Sequence, residues 1–356
     1  MPRRPTLRDV ATRAGVHQAT ASRALNPALP GRVTAATAER VRAAARELGY
    51  VPDPTARSLR TRRSGVVGVV VPDLANPVLP PIVRGIERVL WSAGLACLLA
   101  DTDNDPEREA VHVAELRARR CEGLIVATAA RTSPTVSDLL GAELPAVLVT
   151  REIDGGGLPF VAADDAAGTA AAVAHLVALG HQRIAHVTGP LDLSTTMTRL
   201  EAFRAALVSA SLPLVESLVV HGDAFTTAAG ERAAERLPGR AFTAIVAGND
   251  MIALGVIAAL RRAGVRCPED VSVTGHNDMP LVDRVDPPLT TVAIPQDEIG
   301  AAAARLLLER IDGGGGADAS GGAAPAGRAD TADADAPPRV LLPTRLIVRA
   351  STAPAR

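Results

Sequence analysis

Residues 6–26 read TLRDVATRAGVHQATASRALN. Thr6, with Asp9 three positions on, forms a capping pair at a helix start. Leu7, Val10, Ala11 and Ala14 then recur at helical spacing, and Gly15 ends the run. A second helix fits His17–Leu25, with Val16, Ala21 and Leu25 turned inward and Ala11 small where two helices must approach closely. Working outward, Asn26, Pro27, Pro30 and Gly31 make a polar turn. A third helix then fits Ala35–Leu48, with Thr34 as its N-cap and Gly49 as its stop. The spacing predicts a helix-turn-helix on a three-helix support.

That arrangement leaves Gln18, Ala19, Ser22 and Arg23 on the outer face of the second helix. Such a helix meets base edges in a major groove. Arg can bond guanine and Gln adenine with two hydrogen bonds each. Ser22, Arg3, Arg4 and Arg8 are placed as phosphate contacts, which orient the head without reading sequence.

The charge distribution agrees. The chain has 356 residues and a formal net charge of −1. Residues 1–63 carry 13 Arg against four acids, a net +9; the rest carries 25 Arg against 35 acids, a net −10. A basic head on an acidic body suggests a polyanion-binding unit on a soluble carrier. Every basic residue is Arg, so lysine-based chemistry is excluded.

Residues 52–63, PDPTARSLRTRR, form a hinge or linker with room for about one helical turn, too short to be stable alone. From 64 to 356 the pattern changes. Apolar runs at 66–72, 95–101, 123–128, 146–150, 183–189, 218–223, 244–250 and 271–275 alternate with amphipathic stretches near 77–93, 106–119, 166–179, 197–210, 227–237, 251–263 and 296–311. Alternation of this kind predicts parallel sheets covered on both faces, and the length predicts two doubly wound subdomains. Residues 313–338 hold no large apolar side chain and are expected to be a disordered insert, after which RVLLPTRLIVR (339–349) reads as a final strand.

With aromatics at 2%, the core must come from Ala, Val, Leu and Ile. Cys97, Cys121 and Cys267 have no metal-ligand spacing and are odd in number, so reduced, buried thiols in a cytoplasmic protein are expected. His175, His181 and His186 are not at metal spacing either. No signal-like or membrane-spanning run is found. No nucleophile elbow, zinc-protease motif, phosphate loop or dinucleotide fingerprint is present, so no enzyme, cofactor or metal site is expected.

These residues together carry a resemblance. TLRDVATRAGVHQATASRALN, VTAATAERVRAAARELGYVPDPTARSLRT, GVVGVVVPDLANP, HLVALGHQRIAHVTGP, AIVAGNDMIALGVIAALRRAGVRCPEDVSVTGHND and LLPTRLIVRAST closely resemble, in this order, the lactose-repressor/galactose-repressor family of transcriptional regulators. The resemblance implies an all-α head (1–51), a hinge (52–63) and an α/β body (64–356) like a periplasmic sugar-binding protein. It puts Gln18, Ala19 and Arg23 on operator bases and Leu59 on the leucine that wedges into the minor groove. It puts Arg199, Asn249 and Phe225 on the effector. It implies a cytoplasmic homodimer that represses transcription from a near-palindromic DNA operator, with a carbohydrate as the default effector.

Strand ends supply further pocket residues, since ligands of open α/β sheets bind beyond them. Asp73 follows the first run, Asn249 and Asp250 follow AIVAG, and Asn277 and Asp278 follow VSVTGH. Asp250 also suits a helix cap, Asp73 a cap or ion pair, Arg199 a surface ion pair and Asp278 a turn.

The chain also departs from the family pattern. His17 stands where the family has Ser, losing a good N-cap and leaving either a looser helix start or a phosphate contact. The turn NPALPGR is about two residues longer than is common. In the pocket, Val78 and Leu79 stand where the family has aromatics, with Leu79 still expected to touch the effector; Asn277 after His276 replaces an acid, and Ile294 replaces a common Gln. Two rivals compete with the regulator. A transport receptor needs a leader and not a basic head, and a cleft enzyme needs convergent acid, base or nucleophile groups. No leucine-rich heptad follows Arg349, which favours a dimer over a tetramer.

Overall fold

The computed structural model describes residues 5–25, 32–51, 63–142, 144–237, 241–313 and 336–356. Arg3, Arg4, Leu59, all of the NPALPGR turn but Arg32, and most of the insert lie outside them. The chain divides into two compact units, Met1–Ser64 and Gly65–Arg356.

The first unit is built from α1 (Leu7–Ala14), α2 (Gln18–Ala24) and α3 (Ala35–Leu48). Thr6 closes a reciprocal capping box: the Asp9 N–H donates to Thr6 Oγ1 and the Thr6 N–H donates to Asp9 Oδ2. Gly15 and Gly49 end α1 and α3 at φ 64° and 62°, a conformation that favours glycine. Val10, Ala21 and Val41 are fully buried at the centre. Small side chains let three short helices close on one another. The expectation for His17 needs correction. It caps α2 itself, its Nδ1 accepting from the Ala19 N–H at 3.2 Å. An imidazole nitrogen replaces the hydroxyl oxygen in the same duty.

The second unit holds two six-stranded sheets, ordered β11-β5-β4-β3-β1-β2 and β12-β10-β9-β8-β6-β7. The first contains β1 (Val66–Val71), β2 (Ala96–Asp101), β3 (Leu124–Val126), β4 (Ala146–Val149), β5 (Phe160–Ala163) and β11 (Arg339–Leu342). The second contains β6 (Ile184–Thr188), β7 (Val219–His221), β8 (Ala244–Ala247), β9 (Ser272–Asn277), β10 (Thr290–Ala293) and β12 (Arg345–Ile347). All pairs are parallel except β10 with β12. The helices are α4 (Leu79–Ser92), α5 (Pro106–Ala118), α6 (Pro134–Ser137), α7 (Asp165–Ala178), α8 (Ser194–Ser209), α9 (Thr227–Glu235), α10 (Asp250–Arg262) and α11 (Gln296–Gly313).

The chain passes between the sheets three times: from β5 into α7, from β10 into α11, and from β11 to β12. The stretch 339–349 is therefore two strands, not one. Pro343 and Thr344 break it, and each half completes a different sheet. The segments FVAA (160–163) and TTVA (290–293) are also strands, though each is only four residues long with a single branched aliphatic residue, and the sequence pattern missed them.

Close helix packing relies on missing side chains. A Cβ on Gly85 of α4 would overlap the Asp297 carbonyl, and one on Gly300 of α11 the Ile82 carbonyl. Gly230 and Gly255 do the same for α9 and α10. The three cysteines form no disulfide; Cys121 is buried, while Cys97 and Cys267 are half-buried rather than buried. Among the described residues no helix is long and apolar enough to cross a membrane, and no cluster of metal-ligating side chains occurs.

Candidate DNA-reading face and effector cleft

On α2, Ala21 and Ala24 face the core. Gln18, Ala19 and Arg23 are exposed, and Ser22 is half-buried. Gln18 and Ser22, like Ala19 and Arg23, are four residues apart, so all four share one side of the helix. Arg8 on α1 is also exposed.

In the second unit a cleft lies between the two sheets, at the carboxyl ends of their strands. Its lining includes Leu79, Arg199, Phe225, Asn249 and Asn277, all expected from the sequence. Asp73 is not among the lining residues. It closes a turn instead, Oδ1 accepting from the Ala75 N–H at 2.7 Å.

Arg199 is 7% exposed and is not in a surface ion pair. Its Nη1 donates to the Gly248 carbonyl at 2.6 Å, and its Nη2 to Asp165 Oδ1 at 3.0 Å and Asn277 Oδ1 at 3.3 Å. Its Nε is buried without a partner. His276 Nε2 lies 2.9 Å from the same Asp165 oxygen. Burial works against the Asp165 carboxylate, but Arg199 and His276 outweigh it and hold the group at about 2. Burial and the Arg199 charge push His276 down to about 4, so at neutral pH it is an uncharged ring.

Asn249, not Asp250, caps α10: its Oδ1 accepts from the Ile252 N–H at 2.9 Å. Asp250 points under the sheet. It accepts from the Met279 N–H at 2.8 Å and from Thr291 Oγ1, in space left by Gly275. Burial pushes it up to about 7. Asp278 pairs with Arg349 Nη2 at 2.7 Å. Phe225 is half-buried, its ring lying where a Cβ on Gly189 would be. The three histidines are structural: His175 bonds Thr352, His181 bonds Thr243 and Ser272, and His186 bonds the Val246 carbonyl and stacks on Phe203.

Sequence reasoning missed Asn76, Thr150, Arg151, Asp165 and Thr195 in the lining. Arg151 follows AVLVT directly, so the strand-end rule that picked Asn249 would have found it. Asp165 follows a strand that the pattern did not reveal. Two lining residues also carry strain. Thr150 and Asn277 have φ of 62° and 115°, and a β-branched residue rarely adopts such a value. Backbone strain of this kind persists where surrounding structure fixes it, and it clusters at functional sites.

Comparison with known proteins completes the picture. Residues 6–53 match the model for bacterial regulatory proteins, lacI family, and residues 173–352 match a periplasmic binding protein-like domain. The HTH-type transcriptional regulator DegA of Bacillus subtilis is 31% identical over 98% of each chain. The HTH-type transcriptional regulator MalR of Streptomyces coelicolor is 38% identical over 86% of this chain and 90% of its own. A crystal structure of the lac repressor dimer bound to operator and the anti-inducer ONPF superposes with a TM-score of 0.83 at 27% identity, covering 99% of this chain and 100% of that one. A CelR–cellobiose complex gives 0.69 at 32% identity, covering 98% and 100%. With a helix-turn-helix head, a two-sheet binding body and relatives of this kind along its whole length, the chain belongs to the lacI family of bacterial transcriptional regulators.

Proposed function

We propose that this protein is an effector-controlled transcriptional repressor acting in the cytoplasm. The head, 1–51, reads an operator through Gln18, Ala19 and Arg23, while Arg8, Ser22, Arg3 and Arg4 grip phosphates. The hinge, 52–63, places Leu59 in the minor groove, where an apolar wedge kinks the duplex. The body, 64–356, binds a carbohydrate or carbohydrate-like effector through Leu79, Arg199, Phe225, Asn249 and Asn277. The observation that carries this reading is the cleft at the strand ends. There a buried Arg199 ties together Asp165 from one crossing segment, Gly248 after β8, and Asn277 at the end of β9. A ligand that competes for these bonds meets the second subdomain there and, across the cleft, Leu79, Thr150 and Arg151 of the first.

The protein acts as a homodimer. The edge strand β2 exposes Leu98 and Leu99, and Trp91 of α4 is 75% exposed, an apolar surface suited to a second copy. A two-fold dimer reads a near-palindromic site. Linkage then requires effector and operator to change each other's affinity by reciprocal factors.

Selection from random duplexes tests the reading. An enriched near-palindrome, bound with steep salt dependence and released by a cleft ligand, is expected. Enrichment of no sequence would contradict it.

A further inference from the structure

Two arginines line the cleft, and they are not equivalent. Arg199 uses both of its Nη groups, on Asp165, Asn277 and the Gly248 carbonyl. Arg151 is nearly as buried, at 8% exposure, but makes one long side-chain hydrogen bond, from Nη1 to Asn104 Oδ1 at 3.4 Å. Among the described residues no carboxylate is within ion-pair distance of it. Asp192 and Glu109 act on it only by longer-range attraction, and Glu109 is itself occupied by Ser133 Oγ at 3.2 Å. A guanidinium offers five donors. Withdrawing it from water without a partner is strongly unfavourable, unless a ligand anion completes the site. Arg151 stands on the strained Thr150 backbone at the end of β4, its side chain lining the cleft with Asn76 and Thr195.

We propose that the effector is acidic: a sugar-like molecule bearing a carboxylate or phosphate, held by the Arg151 guanidinium. This rests on the reading of the cleft as the effector site. Arg151 is well suited to both anions, because its planar fork matches a carboxylate or two phosphate oxygens. The Arg199 cluster then engages the neutral hydroxyls.

Calorimetric titration of the full chain tests this with matched probes: glucose, glucuronate and glucose 6-phosphate; ribose and ribose 5-phosphate; and inorganic phosphate alone. At least one acidic probe should bind about 100-fold more tightly than its neutral twin, as two charge-assisted hydrogen bonds allow. Whether carboxylate or phosphate wins names the source of the anion. Arg151→Met should bring that ratio close to one and remove any thermal protection by phosphate. Without ligand, Arg151→Met should melt at or above the wild-type temperature, since an unpaired buried charge is gone. A clear drop would make Arg151 a structural partner of Glu109 and overturn the proposal. Neutral sugars that bind and release operator as well as their acidic twins would leave the effector reading intact and overturn the anion inference. Failure of all acidic probes and phosphate would also overturn it. Operator that no ligand releases would overturn the effector reading itself.

Discussion

The two subdomains share one strand order but not one interior. In the strands of the first sheet the buried residues are almost wholly aliphatic: Val67, Val69, Ile125, Val147 and Val161 are all fully buried, and buried polar groups of that half such as Thr102, Glu109 and Ser133 lie outside its strands. Around the second, Ser272, Thr274, Thr290 and Thr291 are fully buried within strands, with His181, His186, Asp250 and His276 close behind. Each of these polar groups must find a partner or incur a desolvation penalty. Several find it in the C-terminal segment. Ser351 Oγ accepts from the Thr290 N–H at 2.8 Å and donates to the Val273 carbonyl at 2.6 Å. The Ala353 carbonyl meets His181 Nε2 at 3.0 Å. The lesson is that one strand order accepts either filling. The aliphatic half gains its stability without directionality and shows an apolar edge outward. The polar half has directional bonds that a ligand or a proton can alter.

The contrast can be broken most severely at Arg199. Arg199→Met leaves Asp165 buried with only His276, and should destabilise the second subdomain by about 3–5 kcal/mol. Denaturant melts of the full chain read this loss. An unchanged midpoint would mean that the network carries no stability.

Next come the glycine-closed helix pairs, which both subdomains share. Gly85→Ala in the first and Gly255→Ala in the second should each cost about 1–3 kcal/mol by forcing packed helices apart. If the two losses differ greatly, the halves differ in packing as well as in polarity.

Ser351→Ala tests the C-terminal stitch. It orphans the buried Thr290 N–H and should cost about 1–3 kcal/mol, with hydrogen exchange increasing at β10 but not at β4. Equal change in both sheets would contradict the assignment.

Asp250→Asn should change least at acidic pH and more as pH rises. The folded carboxyl holds its proton up to about 7, while the unfolded one releases it near 3.8. Wild-type stability from this group is therefore lost as pH rises across that interval. His276 and His186 act oppositely: with ordinary values of 6.5 lowered to about 4, each weakens the fold as pH falls between them. The variant should flatten only the alkaline-going loss. Melting temperatures from pH 4 to 8 that track wild type in parallel would contradict a buried, neutral Asp250.

The head was legible because its signals are local. Thr6, Gly15, Thr34 and Gly49 each act within a few residues of themselves, and the structure places all four at the ends of helices. His17 was misread because side-chain type was weighed without geometry; its ring reaches the Ala19 N–H. The cleft was half legible. Asn249 and Asn277 stand at ends of strands that the pattern revealed. Asp165 does not, because FVAA carries too little branched apolar character to mark a strand. Its meaning depends on Arg199 and His276, brought to it from 34 residues away in one case. No spacing rule encodes that meeting. The division of 339–349 between two sheets was hidden for the same reason: Pro343 is local, but which sheet each half joins is not.

The central claim is that effector binding and operator binding are linked. The most direct measurement is operator affinity of the full chain, by fluorescence anisotropy on its selected near-palindrome, with and without a saturating cleft ligand. The account predicts a change of about 5–150-fold, matched by the same factor in ligand affinity when operator is bound, and abolished by Arg199→Met. Operator affinity indifferent to a ligand proven to occupy the cleft would contradict it.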